Sequence, residues 1–291
     1  MSVLQAIILG LVQGLTEFIP VSSTAHLIFA SRALDLFAGA GQALRAEQTT
    51  ATIAVIQLGT LFAVIIYFAK DIWQITSAFL RDHLRLVTAR GSAFSFSPEA
   101  RLGWLVILGS LPVGVVGLLF KKQIEGTFTK NLWVIATMMI VLALLLAVAE
   151  AVGRRVRTME QLGIRDALAV GCAQVLALIP GASRSGSTIM GGLFAGQTRE
   201  TAARFSFLLS MPAIAASGLL ELKEAVHKLP PHSAFPLLVA TLVSGLVGYA
   251  SIWFLLRYLR THSTGIFIGY RLLVGGAILA MLFTGALKAV E

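Results

Sequence analysis

Four stretches of this chain, 48–69, 102–120, 131–149 and 233–256, run without one ionised side chain. At about 1.5 Å of rise per helical residue, each can cross a hydrocarbon layer roughly 30 Å thick. Two further runs, 205–220 and 264–287, carry a basic residue at or near one end, Arg204 and Arg271, able to snorkel toward water. About six transmembrane helices are expected. The composition agrees: 57% of residues are hydrophobic and 13% charged, with a mean hydropathy of +0.85, against about a quarter charged in a soluble domain. A water-soluble globule and a disordered chain are excluded, and the 27 glycines lack the every-third-residue period of collagen. The lone cysteine, Cys172, excludes a disulfide scaffold and a multi-thiolate zinc site. The formal net charge of +9 is spread between apolar runs instead of gathered on one soluble face, so it reads as membrane topology and not as nucleic-acid binding.

A second class of apolar segment is too short to cross. Residues 1–16 and 18–31 are divided by Glu17, and 167–183 and 185–198 by Arg184, with Pro20, Pro180 and Gly181 beside the breaks. Paired short helices joined by polar backbone at membrane depth form re-entrant hairpins, tolerated where protein or a water-filled cavity surrounds them. Met1–Gly14 has no basic leader and Glu17 interrupts the apolar stretch, unlike a signal peptide. Orientation comes from the connecting segments. The stretch 70–101 holds Lys70, Arg81, Arg85, Arg90 and Arg101, and 150–166 holds Arg154, Arg155, Arg157 and Arg165, so both are expected in the cytoplasm. Glu221–Ser233 balances Lys223 and Lys228 against Glu221 and Glu224, which suits the outer side, and Arg257 and Arg260 return the chain inward. Lys121, Lys122 and Lys130 depart from this pattern; both termini are expected outside.

The two hairpin regions are alike. Gly10-Leu-Val-Gln13 leads to Ile19-Pro20 and Ser22-Ser23-Thr24; Gly171-Cys-Ala-Gln174 leads to Ile179-Pro180 and Ser183-Arg184-Ser185. Dividing the chain into repeats 1–153 and 154–291 gives each half one hairpin and three crossings. Three is odd, so the second copy is inverted, and inverted repeats bring a site to the midplane where the hairpin tips meet. Chance recurrence in a Leu/Ala/Gly-rich chain is the competing explanation, weakened by the matched order of spans behind each hairpin.

Ionisable residues at membrane depth are costly and mark function. Glu17, His26 and Arg184 meet that description. Gln13 and Glu17 share a helical face at i,i+4, Ser22, Ser23 and Thr24 follow at a turn, and His26 lies three residues after Ser23. Taken singly, Glu17 reads as a carboxylate satisfied by Thr16 and nearby serines, and His26 as a core histidine on a backbone carbonyl; their clustering favours a site. His83, His227, His232 and His262 are expected in loops. In Pro180-Gly-Ala-Ser-Arg-Ser-Gly-Ser-Thr188, glycines admit backbone amides to an anion, hydroxyls donate, Arg184 can grip phosphate oxygens, and the following helix points its N–H groups at the same place. A small-residue packing turn would explain the glycines and serines but not the arginine. The segment is not a P-loop, which ends in G-K-[ST], and Leu178 stands where a C-x5-R cysteine phosphatase has arginine. Membrane-embedded phosphate-ester or pyrophosphate chemistry is the reading that remains.

At these segments the chain resembles the bacterial undecaprenyl-pyrophosphate phosphatase family, the bacitracin-resistance proteins. Gln13-Gly-Leu-Thr-Glu17-Phe-Ile-Pro-Val-Ser-Ser-Thr-Ala-His26 is similar to the family's (E/Q)-x-x-x-E motif with its S-S-T-x-H, and Pro180–Thr188 to its P-G-x-S-R-S-x-x-T. Val55–Gly59 and Phe205–Pro212 are similar too. Gln13 stands where many members have Glu, and Arg204 where an acidic or neutral residue is expected. The resemblance implies hydrolysis of undecaprenyl diphosphate to undecaprenyl phosphate and phosphate, recycling the lipid carrier of cell-wall synthesis. It also implies bacitracin resistance, a divalent cation (Mg²⁺ or Ca²⁺), and a multi-pass protein of the bacterial plasma (inner) membrane with its site opening to the outer, periplasmic face. Partners expected are the polyprenyl diphosphate and membrane lipids, with no nucleic acid and a homodimer left open.

Under this reading Arg184, Ser183, Ser185 and Thr188 hold the pyrophosphate, with Gln13 and Ser22 lending further polar contacts. Glu17, alone or with Gln13, ligates or orients the metal. His26 is the nucleophile, or the base for Ser23 or water. The rival is a lipid-phosphate or anion transporter or flippase on the same inverted scaffold, with Arg184 binding a headgroup and Glu17 coupling protons.

Overall fold

Helix-capping signals and apolar runs together account for the elements of the computed structural model, which describes residues 1–37, 41–88, 95–120, 131–228 and 233–289. Arg90, Lys121, Lys122, Lys130 and His232 lie outside the described residues. Eleven α-helices are described: α1 Val3–Phe18, α2 Ser23–Ala33, α3 Gln42–Tyr67, α4 Ala69–Thr88, α5 Pro98–Leu119, α6 Leu132–Val152, α7 Ile164–Val175, α8 Arg184–Phe194, α9 Arg199–Lys228, α10 Ala234–Leu259 and α11 Gly265–Phe283. The chain is an all-α membrane protein. Ser2 caps α1 by accepting from the Gln5 backbone N–H at 3.2 Å, while Gln5 Oε1 accepts from the Ser2 backbone at 2.7 Å. Ser97 caps α5 ahead of Pro98, and Asn131 caps α6 by accepting from the Trp133 N–H at 2.9 Å.

Among the described residues, five helices are long and apolar enough to cross a membrane: Glu47–Tyr67 within α3, and α5, α6, α10 and α11. The sixth expected crossing, 205–220, falls inside α9, whose 30 residues include Arg199, Glu200 and Arg204 and which is not among the five. Large side chains on the rims of these helices, such as Leu118, Leu246, Leu273 and Phe283, are more than 70% exposed, as lipid-facing residues must be in a protein viewed without its bilayer. Glycines bring the helices together on the inside. A Cβ on Gly171 of α7 would stand 2.2 Å from the Gly109 carbonyl oxygen of α5, and one on Gly59 of α3 2.1 Å from the Thr241 carbonyl oxygen of α10.

Two segments expected as loops are helical. Residues 70–88 belong to α4, where Ile75 and Phe79 pack against Gly103 of α5 and the His83 ring meets Phe79, Phe96 and Trp104 at tilted angles. The carboxylate of Asp82 accepts the Ser97 N–H at 2.8 Å, and its hydrogen bonds to Ser97 hold it below the usual carboxylate range. The helix α9 likewise runs on to Lys228, through His227 and most of the expected Glu221–Ser233 loop. Arg204 ion-pairs with Asp71 of α4 and lies over the Phe68 ring, which explains a basic residue at that point. A second cluster gathers around Glu150, which accepts from Arg155, Arg199 and Thr264 and so ties the end of α6 to α9 and α11.

Candidate active site

Two breaks in helix geometry create the site. After α1 ends at Phe18, the Ile19-Pro20-Val21 segment turns the chain, and Ser22 takes φ 78° before α2 starts at Ser23. After α7 and a short 3-10 turn at Leu176–Leu178, Ile179-Pro180-Gly181 turns it again, and Ser183 takes φ 68° before α8 starts at Arg184. Neither α1 at 16 residues nor α2, α7 and α8 at 11 to 12 reaches across a bilayer. Left-handed backbone at two serines is strain that a site can retain. At Gly181 no other residue fits: φ is +90°, and a Cβ would stand 2.2 Å from the Ile135 carbonyl oxygen.

The two tips meet. Arg184 Nη2 donates to Glu17 Oε1 at 2.9 Å, joining residues 167 positions apart, with the side chains 15% and 6% exposed. The other carboxylate oxygen, Oε2, accepts from the Ser23 hydroxyl at 2.9 Å and from Gln13 Nε2 at 3.0 Å. Ser185 Oγ donates to the Ile19 carbonyl at 3.2 Å, a second bond between the tips, and lies 3.2 Å from Ser183 Oγ, which caps α8 through the Gly186 N–H. Thus Gln13, Ser23 and Arg184 share the Glu17 carboxylate, and Ser185, in contact with Ser183, stands beside them on the Ile19 carbonyl. Thr16, in contrast, turns back to the Val12 carbonyl.

Other expected residues stand apart from these. Thr188 is fully buried one helical turn below Arg184, its hydroxyl engaged with the carbonyls of Arg184 and Ser185 and, at 2.6 Å, with Ser206 Oγ of α9. Ser22 points its carbonyl at His26, and its own buried hydroxyl has no partner among the described residues. Both ring nitrogens of His26 are engaged, Nδ1 with the Ser22 carbonyl at 2.7 Å and Nε2 with the Tyr270 hydroxyl at 2.6 Å, so neither is bonded to Ser23 or Glu17.

Three residues at the tips carry no mark in the sequence motifs. Thr60 of α3 accepts from Gln13 Nε2 at 3.4 Å. Tyr270 meets His26. Arg271, expected to snorkel, is instead fully buried: its guanidinium donates to the carbonyls of Pro20 in the first tip, Gly181 and Ala182 in the second, and Met138 and Met139 of α6. The physical cause is simple. Arg271 lies in the second turn of α11, where the turned backbone of both tips leaves carbonyls without helical partners, and a buried cation gathers them. An arginine inside an apolar run was the available signal; no comparable signal marked Tyr270 or Thr60.

Comparison with known proteins bears on what this cluster does. The family model described as bacitracin resistance protein BacA matches residues 6–277. The undecaprenyl-diphosphatase of Syntrophobacter fumaroxidans is 53% identical over 283 residues, covering 97% of this chain and 98% of that protein. Proteins of the same name from Mycolicibacterium smegmatis and Chloroherpeton thalassium are 48% and 47% identical, each covering 99% of this chain and 100% of the relative.

Proposed function

The chain belongs to the bacitracin resistance protein BacA family and is a membrane hydrolase of undecaprenyl diphosphate; we propose that the reaction runs at the joined hairpin tips. The observation that carries this reading is the Arg184–Glu17 ion pair with Ser23 on the same carboxylate. The substrate brings a charged diphosphate and an apolar polyprenyl chain, which suit a polar cluster enclosed by lipid-facing helices. Neither the geometry nor the relatives favour a transporter.

The proton path favours Ser23 as the nucleophile. Its hydroxyl already donates to Glu17 Oε2, whereas both His26 nitrogens are engaged elsewhere. Ser23 Oγ forms a bond to the terminal phosphorus as its proton passes to Glu17. The bridging P–O bond breaks and undecaprenyl phosphate leaves, its freed oxygen taking the proton held by Glu17. Water then attacks the phosphoryl group on Ser23, giving its proton to the restored carboxylate, which returns it to Ser23 Oγ as inorganic phosphate departs. Arg184, which gives Nη2 to Glu17 and keeps further N–H donors, neutralises charge on the transferred group. The Arg184 and Ser185 amide N–H groups that open α8 add donors beside it, while Ser183 and Ser185, which hold the Gly186 N–H and the Ile19 carbonyl, shape the tip around the same oxygens. Thr188 and Ser206 fix the helix that carries Arg184.

A divalent cation fits the residues present. Gln13 Oε1 is buried, has no hydrogen-bond partner among the described residues, and belongs to the side chain that bonds Glu17. A neutral oxygen beside a carboxylate is the donor chemistry of Mg²⁺ or Ca²⁺, whose coordination substrate phosphates can complete. Glu17 and Gln13 would hold the ion, and when bound it offsets the diphosphate charge. Among the described residues no cluster of three or more His, Cys, Asp or Glu offers another site.

The inverted-repeat division at residue 153 belongs to the same proposal. It is supported by the positive-φ serines, Ser22 and Ser183, that open α2 and α8, each 11 residues long, and by α1 packing on α10 much as α7 packs on α5. Basic residues at Arg81, Arg85, Arg154, Arg155, Arg157 and Arg165 support an inner-membrane orientation with the tips opening outward.

A rapid-quench experiment with terminally labelled undecaprenyl diphosphate tests the chemistry. Label is expected on the Ser23 peptide of wild-type protein and absent from Ser23→Ala, which turns over poorly. Label on His26, or full turnover by Ser23→Ala, would overturn this route.

A further inference from the structure

His26 reads from sequence as the nucleophile or as the base for Ser23 or water, yet its ring is held from both sides. The Ser22 carbonyl can only accept, so the 2.7 Å contact requires a proton on Nδ1. In the neutral ring that leaves one lone pair, on Nε2, and the Tyr270 phenol 2.6 Å away must donate to it. The two rings also stack, with centroids 5.6 Å apart and planes 14° from parallel. Tyr270 is itself held in place. The next residue, Arg271, is fully buried and anchored to carbonyls of both tips, so α11 cannot shift without releasing them.

We propose that Tyr270 is a positioning residue for the reaction: by holding His26 in one orientation and one tautomer, its hydroxyl fixes the Ser22 carbonyl that immediately precedes the reacting Ser23. The proposal rests on the phosphatase chemistry assigned to the hairpin tips. The chain of contacts is continuous: Tyr270 Oη to His26 Nε2, His26 Nδ1 to Ser22 O, and Ser23 Oγ to Glu17 Oε2. Ser22 has φ 78° and ψ 93° and, unlike Ser183, makes no side-chain cap to its helix. The Ser22 carbonyl also accepts a long helical bond from the His26 N–H at 3.5 Å, so the imidazole at 2.7 Å is its closer partner, and Tyr270 sets where that imidazole stands. A hydroxyl with this task touches no substrate atom and acts through its neighbour alone.

Tyr270→Phe keeps the ring and removes the hydroxyl. Two readouts are taken on detergent-purified protein: phosphate release from undecaprenyl diphosphate, and carbethoxylation of the His26 peptide by diethyl pyrocarbonate, which attacks an unprotonated imidazole nitrogen. Tyr249→Phe, whose ring packs against Tyr67, serves as control. Expected for Tyr270→Phe are faster modification of His26 than in wild type and a kcat lowered about tenfold, the scale of one hydrogen bond, at nearly constant KM. The control should match wild type in both. Unchanged His26 reactivity, or an unchanged kcat, overturns the proposal. If wild-type protein releases no phosphate the phosphatase reading fails, while the modification rates still report whether Tyr270 caps His26.

Discussion

Neither Glu17 nor Arg184 would be stable at its depth alone. Each is largely buried, and each satisfies the other across the two hairpins. Losing one partner of such a pair leaves an uncompensated charge, which costs about 3 kcal/mol at these exposures. Arg184→Ala is therefore expected to lower unfolding stability by about that amount and to cut turnover about 10²–10³-fold, the worth of one preorganised donor to the transition state. Adding Glu17→Gln to Arg184→Ala should restore most of the stability and none of the activity, read by denaturant unfolding beside phosphate release. The double variant thus separates the structural contribution of the pair from its chemical one. The pair was legible residue by residue, because an ionised group inside an apolar run demands a partner. Its geometry was not, since no local pattern shows that Ser23 turns to Glu17 while His26 turns away to Tyr270.

At the scale of elements, the hairpins depend on close backbone approach and on a buried cation. Gly171→Ala would drive a methyl group into the Gly109 carbonyl of α5, which cannot rotate aside; a loss of about 2 kcal/mol is expected, typical of overpacking. Gly114→Ala on the exposed side of α5 meets nothing within 4 Å and should gain about 0.5–1 kcal/mol from helix propensity. Thermal melts of the two variants check the contrast. Arg271→Lys keeps the charge but not the planar fork that reaches both tips and α6. It should cost about 3 kcal/mol, two charge-assisted hydrogen bonds, and slow turnover with it. The short helices could be read from charge spacing and Pro/Gly breaks because those are local signals. The helix α4 could not, since Lys70, Asp71, Arg81, Asp82 and Arg85 made it look like a polar connection; its packing on α5 through Ile75 and Phe79 is a tertiary matter. The same holds for Arg271, whose distance from the helix end suggested water while its face of α11 turns toward the tips.

For the whole molecule, the basic ends of α4 and α6 must lie on the inner side if the tips open to the outer side. In a Cys172→Ser background, cysteines replacing Arg85 or Arg154 should react with a membrane-impermeant maleimide only after the cells are opened; labelling of intact spheroplasts would reverse the orientation. The claim on which everything else depends is that the two hairpins form one hydrolytic centre. The direct measurement is phosphate release from undecaprenyl diphosphate by purified wild-type protein, with and without Mg²⁺, beside folded Glu17→Ala and Arg184→Ala. Release that needs the cation and fails in both variants is the expected result. Wild-type release that survives loss of either residue would contradict a shared centre at the tips.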